Sequence, residues 1–417
     1  MSQDRYKWAV VGMLWGISFF NYADRQAVFA VFPLLEKELH LTPFQLGLLG
    51  SSFAITYGIC GIFAGAIVDR VRRVSAVLWG LYTWSLICVA TALSRAFPQL
   101  LAFRAAEGLG ETMYYPASTS LISAYHGHET RSRALGLHQT AVYAGTIAGG
   151  FFAGLIGQRY GWRWSFVVFG TAGILLGTVL HRKLREPAVT AQAVPPPTLA
   201  AFGSLLRTPT VLCLLAAFMC ANFVAVVLLS WMPKFLYDKF HMTLAMAGLT
   251  ATIFAQLASL VGAPLGGWMA DTLRRRSPRG RLIVQAVGVF AGAPFVVLCG
   301  LTDSVALLIT ALACWGFAKG IYDANIFAAV FDVIPVESRG SAAGLMNTIG
   351  WLGGGALAPV VIGVLATSYG LSIAIAMAAA VYLLAGGFLL VAILWFVKRD
   401  AAATIASQAG PVAAHKS

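Results

Sequence analysis

Residues 75–94 have the sequence SAVLWGLYTWSLICVATALS, twenty consecutive positions without a charged side chain. About twenty apolar residues in a helix cross the hydrocarbon core of a bilayer, which is about 30 Å thick. The runs 282–301 and 370–397 also lack charges. Membrane-spanning strands would instead appear as segments of about ten residues with alternating hydrophobicity. These runs therefore predict helices that span a membrane.

Composition extends this prediction to the whole chain. Of 417 residues, 59% are hydrophobic and 11% are charged, whereas soluble domains carry about 25% charged residues. We predict an all-α membrane protein with twelve transmembrane helices in two pseudo-symmetric six-helix bundles. The predicted spans, numbered 1–12 in chain order, are 8–33, 43–67, 75–94, 98–125, 133–158, 163–181, 209–236, 243–270, 282–301, 304–333, 341–367 and 370–397. The predicted domains are an N-terminal bundle (1–181), a cytoplasmic linker (182–208), a C-terminal bundle (209–398) and a cytoplasmic tail (399–417).

The basic residues predict the orientation. If the N-terminus lies inside, twenty of the 29 lysines and arginines fall on cytoplasmic segments and six on external ones. Cytoplasmic loops carry such an excess, so we expect an inner-membrane protein with both termini in the cytoplasm. The net charge of +13 is then a topology signal rather than a surface for nucleic acid. The bilayer is the expected partner, and we expect a monomer.

Several function classes find no support in the sequence. All six cysteines lie in apolar stretches and none forms a CxxC pair, so we expect buried thiols and neither a metal nor a cofactor. The segment 8–32 is too long for a signal-peptide core and lacks a small-residue cleavage site. No GxSxG or Walker motif occurs. We therefore predict that the chain is not an enzyme.

Charged residues away from the ends of the predicted spans are few and are concentrated on three helices. A charge near the bilayer centre costs several kcal/mol unless it faces a cavity or a partner. They are Asp24 and Arg25 on span 1, Arg104, Glu107 and Glu111 on span 4, and Lys319 and Asp323 on span 10.

Span 4 is predicted to carry its three charges on one face, because they are spaced i, i+3 and i+7. Glu111 lies about 18–20 Å along the helix, near mid-membrane. Span 1 runs the other way and brings Asp24 to the depth of Arg104, so we expect these two to pair. A carboxylate whose arginine partner moves during transport is suited to carry a proton. The alternative is a static ion-pair network that holds spans 1 and 4 together.

The two halves of the chain repeat. Gly65-Ala-Ile-Val-Asp69-Arg70-Val-Arg72-Arg73 follows span 2, and Gly267-Trp-Met-Ala-Asp271-Thr-Leu-Arg274-Arg275 follows span 8, 202 residues later. The segments 131–136 and 339–344, before spans 5 and 11, are offset by 208 residues. Two matched pairs at nearly one offset indicate duplication of a six-helix unit.

The first loop resembles the G-x-x-x-D-R-x-G-R-R loop of the major facilitator superfamily, with Val71 where that family usually has glycine. The resemblance covers the whole chain and implies a central cavity lined by spans 1, 4, 7 and 10. The loop residues can pair with carboxylates and helix ends and so latch one conformation; the alternative is a loop that only sets topology. The predicted latch residues are Asp69, Arg70, Arg73, Asp271 and Arg274.

Further motifs narrow the resemblance. Asn21-Tyr22-Ala-Asp24-Arg25 and Arg104-x6-Glu111-x4-Pro116 resemble the anion:cation symporter family, which includes proton-coupled sugar-acid transporters. This resemblance implies that Asp24 and Glu111 are protonated, that Arg25 binds the substrate carboxylate and that Arg104 is a charge partner, with Glu107 beside it. The stretch 21–25 and Gly110-Glu111 also resemble spinster-like transporters of lysolipids and sphingolipids.

Polar and aromatic residues on several spans complete the candidate site. Lys319 and Asp323 lie one turn apart and either form a closed pair or provide a second anion contact that is released when Asp323 is protonated. Each of the further candidates that follow is equally well explained by contacts between helices. The remaining candidates for substrate binding are Tyr22, Tyr57, Tyr115, Asn222, Gln256, Tyr322, Asn325, Asn347 and Trp351.

These patterns together favour a proton-coupled symporter of small organic anions, such as sugar acids or related carboxylates, that works by alternating access. The alternative transporter is a spinster-like carrier of lysolipid or another amphiphile, which predicts a cavity that opens towards lipid. A non-transporting carboxylate sensor is the third possibility, and the short terminal segments give it no support.

Overall fold

The computed structural model describes residues 3–68, 70–127, 129–187, 203, 205–335 and 338–409. Within these ranges all regular structure is helical, and ten helical segments are long and apolar enough to cross a membrane. The predicted all-α membrane fold with twelve helices in two pseudo-symmetric halves is confirmed.

The first half contains α1 to α8. Their bounds are α1 Gln3–Ala30, α2 Phe32–Leu39, α3 Pro43–Val68, α4 Arg73–Thr91, α5 Phe97–Glu111, α6 Tyr114–Tyr125, α7 Arg131–Tyr160 and α8 Trp162–Lys183.

The second half contains α9 to α17 and two π-helical turns, Gly350–Gly355 and Ala392–Phe396. The helices are α9 Pro209–Phe240, α10 Leu244–Arg274, α11 Gly280–Leu301, α12 Val305–Asp323, α13 Ile326–Phe331, α14 Arg339–Ile349, α15 Leu357–Tyr369, α16 Leu371–Val391 and α17 Val397–Ala409.

The predicted spans 1 and 4 are not among the ten apolar segments of the described chain, and they carry the buried charges of the first half. Span 4 is divided, because α5 ends at Glu111 and α6 begins at Tyr114. Pro116 explains the break: it has no N–H to donate to the carbonyl group of Thr112, four residues earlier. The interruption places Glu111 at the end of a helix rather than in its interior.

Irregular features of the backbone, such as residues with positive φ and helix breaks, recur at corresponding positions in the two halves. Gly161 and Gly370 have φ of 91° and 80°, a region that favours glycine, and they directly precede α8 and α16, 209 residues apart. Span 10 breaks directly after Asp323, as span 4 breaks after Glu111. His241 adopts a left-handed φ of 53°, 201 residues after His40 with φ of 50°. These offsets match those of the sequence motifs and support duplication of a six-helix unit.

The chain forms two compact units, and neither is one continuous stretch of sequence. The first contains residues 1–195, 226–253 and 355–371, and the second contains 196–225, 254–354 and 372–417. The predicted domain boundaries at 181, 208 and 398 stay predictions. Much of the predicted linker (188–202 and 204) and the end of the predicted tail (410–417) lie outside the described residues.

Glycines bring the helices of the first unit together around the charged residues. A methyl group added to Gly149 of α7 would lie 2.4 Å from the carbonyl oxygen of Ala23 on α1. One added to Gly108 of α5 would lie 2.5 Å from the carbonyl oxygen of Phe53 on α3. Backbone contact on both sides therefore fixes α1 and α5 at the level of Asp24 and Glu107.

Candidate functional site

Five charged side chains of α1 and α5 lie in the interior of the first unit. Asp24 and Glu111 are fully buried, Arg104 and Glu107 are 1% exposed, and Arg25 is 8% exposed. A buried charge is stable only when it is paired or neutralised. The partner of each group therefore determines what this cluster can do.

Arg25 joins α1 to α5. Its Nε atom lies 2.5 Å from Oε2 of Glu111, and its guanidinium carbon lies 4.7, 4.9 and 4.6 Å from the ring centroids of Tyr22, Phe53 and Tyr57. Aromatic faces attract cations at these distances. Three rings therefore surround the planar guanidinium group that the sequence assigned to substrate binding.

Arg104 pairs with Glu107 on its own helix, one turn away. The Asp24–Arg104 hydrogen-bonded pair expected from their depths is not formed among the described residues. An i, i+3 partner is in reach without any contact between helices, which explains why Glu107 occupies the guanidinium group.

Asp24 belongs to neither of these two ion pairs. Within the described residues, neither of its carboxylate oxygens has a hydrogen-bond partner, and one oxygen each of Glu107 and Glu111 also lacks one. The cluster therefore contains three acids and two arginines. One negative charge is in excess if all five groups are ionised.

Asp24, Glu107 and Cys88 of α4 each have one donor atom within 4.8 Å of the others. Such a trio has the spacing of a metal site. However, Cys88 Sγ lies 3.4 Å from the carbonyl oxygen of Phe166, to which its thiol donates, and a metal ligand has to be a thiolate. Glu107 is also bound by Arg104. We therefore assign no metal ion to these residues.

Sequence reasoning missed Phe53 and Cys88. Phe53 precedes Tyr57 by one helical turn, so it shares the face of a predicted site residue, and that spacing could have identified it. Cys88 was interpreted only as a buried thiol, and nothing in the sequence places it near Asp24. Tyr115, by contrast, was predicted as a site residue, and it is 46% exposed.

The predicted site residues of the second unit are described separately. Lys319 and Asp323 form an ion pair within α12, with side chains that are 19% and 32% exposed. Asn325 Nδ2 donates to the carbonyl oxygen of Gly266 at 3.1 Å, and Asn222 Nδ2 donates to that of Gly350 at 2.6 Å. These two amides therefore bind backbone of other helical segments. Of the remaining candidates, Gln256 and Tyr322 are buried, Trp351 is half-buried and Asn347 is exposed.

The structure shows which groups the predicted latch residues contact, beginning with those of the first unit. Asp69 lies outside the described residues, so its correspondence with Asp271 stays a prediction. In the first unit, Glu186 accepts hydrogen bonds from the backbone N–H groups of Arg73 and Val74, both at 3.0 Å. A carboxylate at a helix N-terminus is stabilising. For Arg70, the structure gives one backbone bond, from its N–H to the carbonyl oxygen of Ile67.

In the second unit, residues at the end of α10 and the start of α11 form a network with Asp332 that contains two arginines and two aspartates. Arg274 and Arg281 both bind Asp332, at 2.8 and 3.0 Å, and Arg281 also binds Asp271 at 2.9 Å. Asp332, which no sequence motif identified, is the centre of this network.

The first unit also contains contacts between helices from the two sequence halves. Lys234 of α9 is 6% exposed and pairs with Glu36 of α2 and with Asp238. Gln26 Nε2 on α1 donates to the carbonyl oxygen of Leu229 on α9 at 2.9 Å. Within the second sequence half, Trp231 Nε1 on α9 donates to the carbonyl oxygen of Pro359 on α15 at 3.1 Å. These contacts form the group that we call the outer contacts, because the predicted orientation places these helix ends outside.

Comparisons with known proteins agree with this fold. The model of the family described as "Major Facilitator Superfamily" matches residues 14–358. The "Hexuronate transporter" of Bacillus subtilis (strain 168) is 25% identical over 351 residues, which are 80% of this chain and 83% of that protein. The "Probable anion transporter 1, chloroplastic" of Oryza sativa subsp. japonica is 28% identical over 383 residues, 87% of this chain and 71% of that protein.

A solved structure shows the same fold. It is a bacterial homologue of the human lysosomal transporter spinster, in an inward-facing and unoccupied conformation, with a TM-score of 0.85 and 22% identity. The match covers 95% of this chain and 98% of that one. The match of the family model to residues 14–358 confirms the family resemblance predicted from the loop at 65–73. The chain belongs to the Major Facilitator Superfamily.

Proposed function

We propose that the protein is a proton-coupled symporter of small organic anions, with sugar acids or related carboxylates as substrates. The observation that carries the proposal is the carboxylate of Asp24, which is fully buried beside two ion pairs and has no hydrogen-bond partner among the described residues. An isolated ionised carboxylate is very costly in an apolar interior. Protonation of one acid removes the excess charge, so the cluster is suited to bind a proton in this state.

The second acid links the proton to the substrate. Glu111 holds the guanidinium group of Arg25, the group that is suited to bind both oxygens of a carboxylate. When Glu111 is protonated it no longer attracts Arg25 as an anion does, and a substrate carboxylate can replace it. The proton and the anion then bind together with no change in the net charge of the cluster.

The names of the relatives support the substrate class. Both the hexuronate transporter and the probable anion transporter are named for anions, and hexuronates are sugar acids. The aromatic side chains of Tyr22 and Tyr57 beside Arg25 offer faces and hydroxyl groups suited to a sugar ring. In the second unit, Lys319 is the candidate for a second anion contact, released when Asp323 is protonated.

The outer contacts supply the gate. Lys234 with Glu36, and Gln26 with Leu229, join helices from the two sequence halves, so we propose that they close the external side of the transport path. The positive-inside pattern supports a location in the inner membrane with both termini in the cytoplasm. The basic loops at 70–73 and 271–281 would then latch the opposite conformation.

Purified protein in proteoliposomes tests the proposal. With an inward proton gradient, we expect accumulation of radiolabelled D-glucuronate, and collapse of the gradient with a protonophore should abolish it. Thermal-shift screening with sugar acids, dicarboxylates, amino acids and lysolipids identifies the ligand class, since a ligand of the folded state raises its stability. Stabilisation by lysolipids alone would exclude the anion symporter and favour the spinster-like alternative.

A further inference from the structure

The phenyl ring of Phe53 is shared by both buried arginines. The guanidinium carbons of Arg25 and Arg104 lie 4.9 and 5.1 Å from its centroid, and the residue is 4% exposed. Both distances are within the roughly 6 Å over which a ring face attracts a cation. One ring on α3 therefore stabilises the arginine of α1 and the arginine of α5.

The backbone holds this ring in place. A methyl group on Gly108 would lie 2.3 Å from Oγ1 of Thr56 and 2.5 Å from the carbonyl oxygen of Phe53, so α3 and α5 touch directly beside Glu107. The ring also stacks on Tyr57, with centroids 5.7 Å apart and an interplanar angle of 16°. Phe53 is thus fixed to the helix that carries both glutamates and has little freedom to move.

Each arginine has a second acid within range. The field of Arg25 acts on Glu107 as well as on Glu111, and the field of Arg104 acts on Glu111 and on Asp24. The titratable groups that act on Asp24 are Glu107, Glu111 and Arg104 from α5 and Cys88 from α4. From α7, Gly149 contacts Ala23 beside Asp24 without any side chain. The observed pairing is therefore one of several that the charges alone would allow.

We propose that Phe53 is a positioning residue that holds Arg25 on Glu111 and Arg104 on Glu107, and so keeps both arginines away from Asp24. This inference rests on the proposed function, because it concerns the acid that takes up the proton. Without the aromatic face, Arg104 gains by turning towards Asp24. A carboxylate paired with arginine takes up a proton only at lower pH, so coupling requires a more acidic external solution.

The pH profile of uptake tests the role of Phe53. In Phe53→Leu proteoliposomes, we expect the external pH for half-maximal uptake to fall by about one unit, which corresponds to about 1.4 kcal/mol. Phe53→Tyr keeps the ring and should retain the wild-type midpoint. Phe63→Leu makes the same change at a position of α3 that is 61% exposed and should leave the midpoint unchanged. If the leucine variant does not fold, Phe53→Met should show the same shift.

The outcomes separate this inference from the proposed function. An unshifted midpoint in Phe53→Leu or Phe53→Met, with only a lower rate or melting temperature, would mean that Phe53 serves packing alone. A shift of equal size in Phe53→Tyr would also overturn the role of the aromatic face. Wild-type uptake that does not respond to pH would remove the proposed function, and this inference with it.

Discussion

The side chain of Arg25 on α1 is bound to Glu111 on α5, with Nε and Oε2 2.5 Å apart in the interior of the first unit. The guanidinium group proposed to bind substrate is therefore held by the acid proposed to bind a proton. Under the proposed function, a substrate carboxylate and Glu111 would compete for one cation, and protonation of Glu111 would decide the competition. The proposed coupling between the proton and the anion rests on this single contact.

Replacement of Arg25 by lysine tests the contact with substrate. Arg25→Lys keeps the charge but loses the planar fork, so we expect the Kd of the sugar acid to rise about tenfold to a hundredfold, since a hydrogen bond to a charged group is worth about 1.5–3 kcal/mol. Isothermal titration measures the Kd. Arg163→Lys, at a half-exposed arginine bound to Glu38, is the matched control. Equal affinity in wild type and Arg25→Lys would show that Arg25 only holds the helices together.

The pair on α12 has its own prediction. If Lys319 contacts the anion, Lys319→Ala weakens substrate binding, Asp323→Asn leaves it unchanged, and the double variant resembles Lys319→Ala. We expect this pattern, because both side chains are partly exposed although they are paired. Binding and unfolding measured on the four proteins form a double-mutant cycle. Loss of stability in each single variant with recovery in the double variant would instead identify a closed structural pair.

The parts of the fold that the sequence predicts are those that depend on hydrophobic runs and repeats. Residues 75–94 predict a span from their own composition, and the positive-φ glycines Gly161 and Gly370 recur at nearly the offset of the sequence motifs. Pairing is harder to predict, because the partner of Arg104 depends on distances of a few ångströms between helices. Depth along the bilayer favoured Asp24, whereas the shorter path within α5 favours Glu107. Depth also gives no information on which α3 side chain faces the arginines, so Phe53 was missed.

The contact between α7 and α10 in the first unit predicts a stability difference between two glycines of α7. A methyl group on Gly150 would lie 2.6 Å from the carbonyl oxygen of Gly248, whereas one on Gly136 would have no atom within 4 Å. Forced overpacking costs about 1–3 kcal/mol, and alanine is otherwise the better helix former. We expect Gly150→Ala to lower the melting temperature in detergent and Gly136→Ala to keep or raise it. Equal melting temperatures would mean that the helices separate without cost.

The acids at the centre of the cluster carry the most direct prediction. Asp24→Asn and Glu111→Gln imitate the protonated acids permanently, so neither variant can release a proton in each cycle. We expect Glu111→Gln to lose accumulation driven by a pH gradient while it retains exchange of labelled for unlabelled substrate. Both activities are measured in the same proteoliposomes, with Glu38→Gln as a control at a half-exposed acid that binds Arg163.

A purely structural role for Glu111 makes a different prediction. Its removal would leave Arg25 without the carboxylate that now binds it at 2.5 Å, and a buried cation that loses its partner destabilises a protein by about 3–5 kcal/mol. Exchange, accumulation and melting temperature would then fall together. Retained exchange with lost accumulation separates coupling from structure, because exchange needs a working cycle but no driving force. If both Asp24→Asn and Glu111→Gln still accumulate substrate fully under a pH gradient, these acids do not couple protons, and another ion or the lipid-carrier alternative has to be considered.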